Sequence, residues 1–201
     1  MPNWCDNYIT ISGSQEQISK IIEDLGDHEE WMERLVPLNG KIWDKIVEEK
    51  EYLISPLTPF YGSKWGMNRS DCHLFEIWPD YIQINVQSAW SPFAPFCQKV
   101  SEKYEVDVTI EFAESGNNFA GRHEYKNGVL IEQIEESYDK GLYLIDNDQF
   151  WMETSDSIEW RTSNNEDWEN IQPDYAWMED PDDLRYLKDL YTKHKESNDI
   201  D

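Results

Sequence analysis

The order of apolar patterns along the first 130 residues constrains the fold of this chain more than any other feature. Residues Tyr8–Ser12 alternate around β-branched side chains and stop at Gly13, which is typical of a short strand followed by a turn. A capping box of Ser14 and Gln17 then predicts the start of a helix, and Gly26 is placed to end it. The apolar stripe of this helix comprises Ile18, Ile21, Ile22 and Leu25.

A second series of strands and a helix follows an insert of about residues 27–70. The predicted strands are His73–Trp78, Tyr81–Ala89 and Val106–Phe112, and a hairpin of Phe119–Glu124 and Val129–Ile131 encloses the turn at Lys126-Asn127-Gly128. Ser91 as N-cap and Pro92 at the first helical position predict a helix before the third strand. This order favours an α+β fold of the ferredoxin-like, split βαβ kind over residues 1–131, with two helices covering an antiparallel sheet.

Residues 132–201 form an acidic segment that is rich in tryptophan. Four of its tryptophans recur at spacings of 9, 8 and 9 residues, at Trp151, Trp160, Trp168 and Trp177. Because solvated acidic tails rarely carry so many large aromatic side chains, we expect an ordered extension that packs on the domain. The extension ends in a predicted helix that Asp180 caps and Pro181 begins.

Acidic residues outnumber basic ones throughout the chain, and most strongly in the extension. The sequence has 42 acidic and 17 basic side chains, for a net charge of −25. Residues 1–130 contribute −10 of this charge, and the shorter stretch 131–201 contributes −15. Such a surface repels nucleic acid and anionic membranes and attracts basic partners, although acidic side chains also serve solubility alone.

Cysteine usage and hydropathy indicate a soluble protein of a reducing compartment. Cys5, Cys72 and Cys97 are an odd number of cysteines at wide spacings, which predicts neither a disulfide framework nor a zinc site. The sequence has no run of 18 apolar residues and no signal-peptide pattern at its start. We therefore expect a cytoplasmic protein that carries no cofactor.

Short motifs punctuate residues 2–130 in a characteristic order. They are Met1–Asn7 at the start, Gly62–Trp65 in the middle loop, Ser88–Pro92 between strand and helix, Glu114–Gly116, and Phe119–Gly121. In this order the motifs resemble the YubB-like family of phage and plasmid proteins. The resemblance implies a ferredoxin-like domain that is encoded by a mobile element and acts in the cytoplasm of a host bacterial cell. It implies no particular activity, and it does not reach the extension.

Candidate catalytic groups are few and isolated. Pro2 would become an N-terminal secondary amine after loss of Met1, the kind of base that small tautomerases use, but it equally suits the start of a strand. Cys5 with His73 could form a nucleophile–base pair, although their spacing does not bring them together. Asp71-Cys72-His73 holds three types of metal ligand in succession, which one ion accepts only with an unusual turn. We therefore expect neither catalysis nor a metal site, and an enzyme of unknown chemistry is the third possibility.

A small-molecule pocket is the second function that the sequence suggests. Three tryptophans within the family-like motifs, together with two asparagines and a glutamate, have the composition of an aromatic pocket with polar tips. The candidates are Asn3, Trp4, Asn7, Trp65, Trp90 and Glu114. Such a pocket could stack a nucleobase and sequester a nucleotide-like immune signal. Tryptophans beside Pro, Gly and Asn also commonly pin loops to a core.

The function that the sequence favours is binding through an acidic surface, without catalysis. Carboxylates on a folded surface imitate phosphates, so the chain would act as a DNA mimic in counter-defence against a restriction-type or other DNA-processing protein. Its partner would be a basic host protein rather than nucleic acid, because no basic stripe accompanies the aromatic residues. The acidic candidates are Glu132, Glu135, Glu136, Asp139, Asp146, Asp148, Glu166, Asp167, Glu169, Asp182 and Asp183.

Overall fold

The computed structural model describes residues 3–26, 31–37, 74–89, 91–178 and 180–198, and the chain divides into two compact units. The first unit comprises Met1–Gly141 and the second Leu142–Asp201. The predicted boundary lay after residue 131, but the last strand of the first unit continues to Glu136. The first unit is therefore longer than the sequence pattern indicated. Packing of the extension on the domain stays a prediction.

The first unit combines one antiparallel sheet with helices that connect some of its strands. Its elements are β1 (Trp4–Ser12), α1 (Gln15–Leu25), α2 (Trp31–Leu35), β2 (Leu74–Ile77), β3 (Tyr81–Ala89), α3 (Ala94–Tyr104), β4 (Asp107–Glu114), β5 (Phe119–Lys126) and β6 (Val129–Glu136). Helix α4 (Tyr138–Ile145) follows and runs past the end of the unit.

The strand order identifies the fold. Within the described residues the sheet has six strands in the order β2-β3-β1-β4-β5-β6, and each neighbouring pair is antiparallel. The first four strands stand in the arrangement that a split βαβ pair generates, with β1 in the centre. The hairpin of β5 and β6 extends the sheet beyond β4. The predicted α+β, ferredoxin-like fold is confirmed.

Period-two burial along β1 explains where the core lies. Cys5, Asn7, Ile9 and Ile11 are buried, while the intervening side chains are exposed or half-buried on the opposite, open face. The buried face packs with Ile18, Ile21 and Leu25 of α1 and with Phe96, Val100 and Tyr104 of α3. Each fully buried isoleucine or leucine contributes about 1.5–3 kcal/mol to folding. The core therefore fixes the two helices on one face of the sheet and leaves the other face open.

Local turn and cap signals are confirmed in several places. The Ser14 hydroxyl accepts a hydrogen bond from the Gln17 backbone N–H, and the Gln17 side chain accepts one from Ser14 N–H, as a capping box requires. Gly26 ends α1 at a φ of 60°. The hairpin turn places Asn127 and Gly128 at φ values of 49° and 77°, in the left-handed region that these two residue types tolerate best.

The start of α3 differs from its prediction. Ser91 is not its N-cap and Pro92 is not its first residue, because the helix begins at Ala94. The Ser91 carbonyl instead accepts a hydrogen bond from the Ser88 hydroxyl at 2.6 Å. The backbone N–H of Phe93 donates to Oδ1 of Asn7 in β1 at 3.2 Å. The side chain of Asn7 thus holds the residue before the helix, and α3 begins without a side-chain cap from its own N-terminal residue.

The second unit is helical and has an aromatic centre. Its elements after α4 are α5 (Asn147–Ser163), α6 (Trp168–Ile171), a 3-10 turn (Gln172–Tyr175) and α7 (Pro181–Asn198). Edge-to-face contacts link Tyr143, Phe150, Trp151 and Trp177 at centroid distances of 4.9–6.4 Å. Asp180 caps α7 through its carboxylate, which accepts the Asp182 N–H, as the sequence predicted. None of the helices in the described parts of the chain is both long and apolar enough to cross a membrane.

Candidate functional site

Asn7, a candidate pocket residue, lies in the interior, with 3% of its surface exposed. Its Nδ2 donates to the carbonyls of Cys5 and Val86 at 2.9 and 3.1 Å and to the Ser88 hydroxyl at 2.8 Å. Its Oδ1 accepts the N–H of Phe93, the residue just before α3. The amide therefore joins β1, β3 and α3, and its N–H groups are already used within the protein.

Glu114, a second pocket candidate, is also buried, with 2% of its surface exposed. Its two carboxylate oxygens accept the backbone N–H groups of Gly116 and Asn117 at 2.7 and 2.8 Å. A Cβ atom at position 116 would collide with the Asn3 amide and with this carboxylate, so the glycine permits their close approach. The structure thus brings Asn3 and Glu114 together around the turn after β4. There Glu114 fixes the turn.

Cys5 lies on the buried face of β1, two residues before Asn7, and is unsuited to nucleophilic attack. Burial, then the negative charge of Asp6, and further the charge of Glu114 raise the pKa of the Cys5 thiol to about 12. The thiolate is the reactive form, so Cys5 is protonated and inert at neutral pH. Burial likewise raises the pKa of the Cys97 thiol. Cys72 and His73, like Pro2, lie outside the described residues.

Of the three candidate tryptophans, Trp4 lies within the described residues. The Trp4 side chain belongs to the open face of the sheet and is 37% exposed. Trp65 and Trp90 lie outside the described residues, so the pocket stays a prediction.

The predicted absence of a metal site also stays a prediction, because Asp71, Cys72 and His73 are outside the described ranges. Within those ranges, no three His, Cys, Asp or Glu side chains form a potential metal cluster.

The open face of the sheet is polar and acidic around two exposed aromatic residues. Tyr8, at the centre of β1, is 39% exposed, and its pKa is raised by partial burial and by the charges of Glu76 and Glu111. Asp6, two residues earlier on the same face, accepts a hydrogen bond from the Gln87 amide at 2.6 Å. The open face of the sheet in the first unit is therefore acidic as well.

The acidic candidates on β6 make local ion pairs. Glu132 accepts a hydrogen bond from Arg122 at 2.7 Å, and this contact lowers the pKa of the carboxyl group. Glu135 contacts Nε2 of the buried His123 at 2.8 Å. Glu136 pairs with Lys140 one helical turn away, and Asp139 is exposed in the first turn of α4. Arg122 and Lys140 partly neutralise Glu132 and Glu136, so β6 is a weaker acidic surface than its sequence indicated.

Several acidic candidates of the second unit also have structural partners. Asp146 caps α5, Asp183 accepts the Tyr143 hydroxyl at 2.7 Å, and Asp182 pairs with Arg185 on the surface. Glu166 and Asp174 both bind the guanidinium of Arg161.

Two further acidic candidates stand free at α6. Asp167 and Glu169 are exposed there, and Asp167 makes no side-chain capping bond. Asp148 lies in α5, but its side chain is outside the described part of the structure.

The sequence analysis missed the outer surface of α5. Met152, Asp156 and Trp160 are exposed and lie four residues apart, so they form one line along the helix. We call these three residues the outer ridge. Glu159 is exposed beside it. The signal was present as a four-residue spacing, but the tryptophan recurrence predicts only that the extension is ordered and packs. Trp160 is instead 65% exposed.

Comparison with known proteins supports the fold and names no activity. Residues 57–155 match a family model described as a ferredoxin-like domain in Api92-like protein. A crystal structure of the protein api92 from Yersinia pseudotuberculosis is similar to this chain, with a TM-score of 0.44 and 11% identity over 68% of this chain and 99% of that one. No curated protein matches. Residues 57–155 are thus similar to the ferredoxin-like domain of Api92-like proteins.

Proposed function

We propose that this protein works by binding, without catalysis, and that the acidic surface of its second unit engages a basic partner protein. The observation that carries the proposal is the charge of this folded unit. Leu142–Asp201 contains 17 acidic and 5 basic side chains, for a net charge of −12. A compact surface with this excess of carboxylates attracts cationic proteins over distances comparable with the Debye length, about 8 Å at physiological salt.

The internal contacts of the unit support a fixed acidic surface. The aromatic centre around Phe150 and Trp177 holds the helices together. Two of the five basic residues, Arg161 and Arg185, already pair with carboxylates of the same unit. Asp156, Glu159, Asp167 and Glu169 are exposed on the outside. Carboxylates that are held in place lose less conformational entropy on binding than those of a disordered tail.

The proposed partner is a host protein with a basic nucleic-acid site, such as a restriction or other DNA-processing enzyme. Two considerations support this choice. Surface carboxylates present the same charge as backbone phosphates, and a cationic nucleic-acid site is a strong attractor for them. In addition, the YubB-like motifs of residues 2–130 favour a protein of a phage or plasmid that acts in the host cytoplasm. Together these considerations support a counter-defence role as a DNA mimic.

The small-molecule alternative has less support. A pocket between Asn3, Trp4, Asn7 and Glu114 would require polar atoms that face a ligand, but those of Asn7 and Glu114 bind the backbone of the protein itself. Mass spectrometry of molecules released from protein purified out of defence-activated cells separates the two functions. A bound nucleotide would favour sequestration.

A competition experiment tests the proposed function. Basic partners are captured from a bacterial host lysate at low salt, purified, and bound to fluorescent duplex DNA. We expect the protein to displace the DNA, and displacement to weaken by about tenfold or more when NaCl rises from 50 to 200 mM, as for other ionic contacts with many charges. Simultaneous binding of DNA and protein by each captured partner would refute DNA mimicry. Failure to capture a basic partner at low salt would refute the binding role itself.

Charge-neutralised variants provide the matched control. The quadruple variant Asp156→Asn, Glu159→Gln, Asp167→Asn, Glu169→Gln keeps the shape of the exposed side chains and removes four charges from the second unit. Glu16→Gln with Glu23→Gln, Asp80→Asn and Glu105→Gln removes the same charge from exposed positions of the first unit. We expect displacement to weaken by about tenfold in the first variant, roughly 1.4 kcal/mol, and by much less in the second.

A further inference from the structure

Helix α5 has large apolar side chains on two opposite sides. On its inner side Phe150, Ile158 and Thr162 are buried, with 1%, 0% and 1% of their surface exposed. On its outer side Met152 and Trp160 are 62% and 65% exposed. A surface helix of a soluble protein normally has one apolar stripe and one polar face. The outer side of α5 therefore has the composition of a contact surface.

The outer ridge has a defined geometry. Met152, Asp156 and Trp160 follow one another at four-residue steps, so the two apolar side chains stand roughly 12 Å apart along the helix axis. Glu159 lies on one flank of this line and Glu153 on the other, at about 100° and 20° from Trp160 around the helix at 100° per residue. Glu153 also accepts a hydrogen bond from Gln149 at 2.8 Å. The apolar anchors are thus bordered by carboxylates.

We propose that the outer ridge of α5 is the docking site for a basic amphipathic helix of the partner protein. Side chains at four-residue steps form the ridges that pack into the grooves of another helix. The apolar stripe of the partner helix would cover Met152 and Trp160, and its flanking lysines or arginines would meet Asp156 and Glu159. The inference rests on the proposed function, because it names the part of the acidic surface that makes the contact.

Charge decides which occupant fits. A second copy of this chain would place Asp156 and Glu159 against the same residues of its partner, and each chain carries a net charge of −25. Like charges in direct opposition across an interface are strongly unfavourable. A cationic helix gains from both the exposed apolar area and the carboxylates. Exposed tryptophan is also among the residue types that most often dominate the binding energy of an interface.

The probe is a synthetic helical peptide with a leucine stripe flanked by lysines, titrated against the full-length protein by fluorescence anisotropy. We expect Trp160→Ala to weaken binding by about tenfold or more and Met152→Ala by less, since buried aromatic anchors carry the larger share. Trp78→Ala removes a tryptophan that is 52% exposed in the first unit, and it should leave the affinity within about twofold. Circular dichroism of each variant verifies that its helices are intact.

A second peptide separates helix docking from simple charge attraction. It has the same composition but two central prolines, which break the helix and keep the charge. We expect it to bind at least about tenfold more weakly. Equal binding of both peptides, or unchanged affinity of Trp160→Ala, would overturn the docking site. If sedimentation shows a dimer of the wild type and a monomer of Trp160→Ala, the outer ridge binds a second copy of this chain and not a partner helix.

The outcomes also distinguish this inference from the proposed function. If the wild type and Trp160→Ala displace captured partners from DNA equally well, the proposed acidic binding surface is supported and the proposed docking site at the outer ridge is refuted. If the helical peptide binds through Trp160 but the protein displaces no partner from DNA, the docking site is supported and DNA mimicry is refuted.

Discussion

Asn7 shows how one amide can organise the region where three elements meet. It binds two carbonyls, one hydroxyl and one backbone N–H in an interior that excludes water. Burying such a group is unfavourable unless each polar atom finds a partner, and removing it leaves those partners unsatisfied. The residue therefore stabilises the junction of β1, β3 and α3.

Replacing Asn7 by alanine should destabilise the protein by about 2–4 kcal/mol, since several buried polar groups lose their partner at once. Urea unfolding followed by circular dichroism measures the change. Asn117→Ala, the same substitution at an exposed turn position, should change the free energy of unfolding by less than about 0.5 kcal/mol. Similar stability of both variants would contradict the structural role of Asn7.

The thiols of Cys5 and Cys97 should resist alkylation in the folded protein. Burial raises both pKa values, that of Cys5 to about 12, so almost no thiolate exists at pH 8. Treatment with iodoacetamide at pH 8, followed by peptide mass spectrometry, should leave both residues largely unmodified. The same treatment in 8 M urea should modify both of them. Rapid native labelling of Cys5 would restore it as a candidate nucleophile.

At the scale of elements, α1 and α3 are joined by a polar contact. The Tyr104 hydroxyl, at the end of α3, donates to Oδ2 of Asp24 in α1 at 2.6 Å, and Lys103 lies 3.3 Å from the same oxygen. The hydrogen bond from Tyr104, aided by Lys103, lowers the pKa of the Asp24 carboxyl below its ordinary value of 3.8. The charged form of Asp24 is therefore the one that the folded state prefers.

A carboxyl group with a lowered folded pKa stabilises the protein above its unfolded pKa and loses this effect as pH falls through the folded value. Asp24→Asn should therefore cost about 0.5–1 kcal/mol at pH 7, a value limited by solvent screening, and the difference from the wild type should shrink below about pH 4. Urea unfolding at pH 7 and pH 3 measures both values. Glu23→Gln, an exposed neighbour in α1, is the control. If the wild type and Asp24→Asn differ in free energy of unfolding by the same amount at both pH values, the contact does not favour the charged form of Asp24.

The elements that sequence predicts well are those whose signals are local. The Ser14 and Gln17 capping box and the Asn127-Gly128 turn involve residues within four positions of one another, and both occur as predicted. The start of α3 could not be predicted, because Asn7 lies 86 residues away from the Phe93 N–H that it binds. The continuation of β6 to Glu136 likewise depends on pairing with β5.

The candidate site was less predictable than the fold, for a related reason. Charge is a property of the sequence, but its availability depends on neighbours in space. Glu166 looks as free as Asp167 in the sequence, yet only Glu166 binds Arg161 in the structure. Trp160 looks as packed as Trp177, yet it stands on the outer side of α5. The sequence thus identified the acidic segment, but the structure was needed to show which of its side chains are exposed.

At the scale of the whole molecule, the net charge of −25 opposes folding through self-repulsion. Raising NaCl from 0.01 to 0.1 M shortens the Debye length from about 30 to 10 Å and should increase the free energy of unfolding by about 1 kcal/mol. Urea unfolding at both salt concentrations tests this, with choline chloride as a control for specific sodium binding. A fall in stability with salt would mean that local ion pairs, such as those of Arg161, outweigh the repulsion.

The central position of β1 has a consequence for synthesis of the chain. Its two neighbours in the sheet are β3 (Tyr81–Ala89) and β4 (Asp107–Glu114). Both are synthesised well after β1, so β1 leaves the ribosome before its pairing strands exist. At bacterial rates of synthesis this interval is roughly 5–20 s, during which the apolar side of β1 has no sheet or helix to pack against. Nascent chains with unpaired strands tend to aggregate, and mutual repulsion between acidic chains opposes that encounter. The negative charge would then protect the protein during its own translation, before it meets any partner.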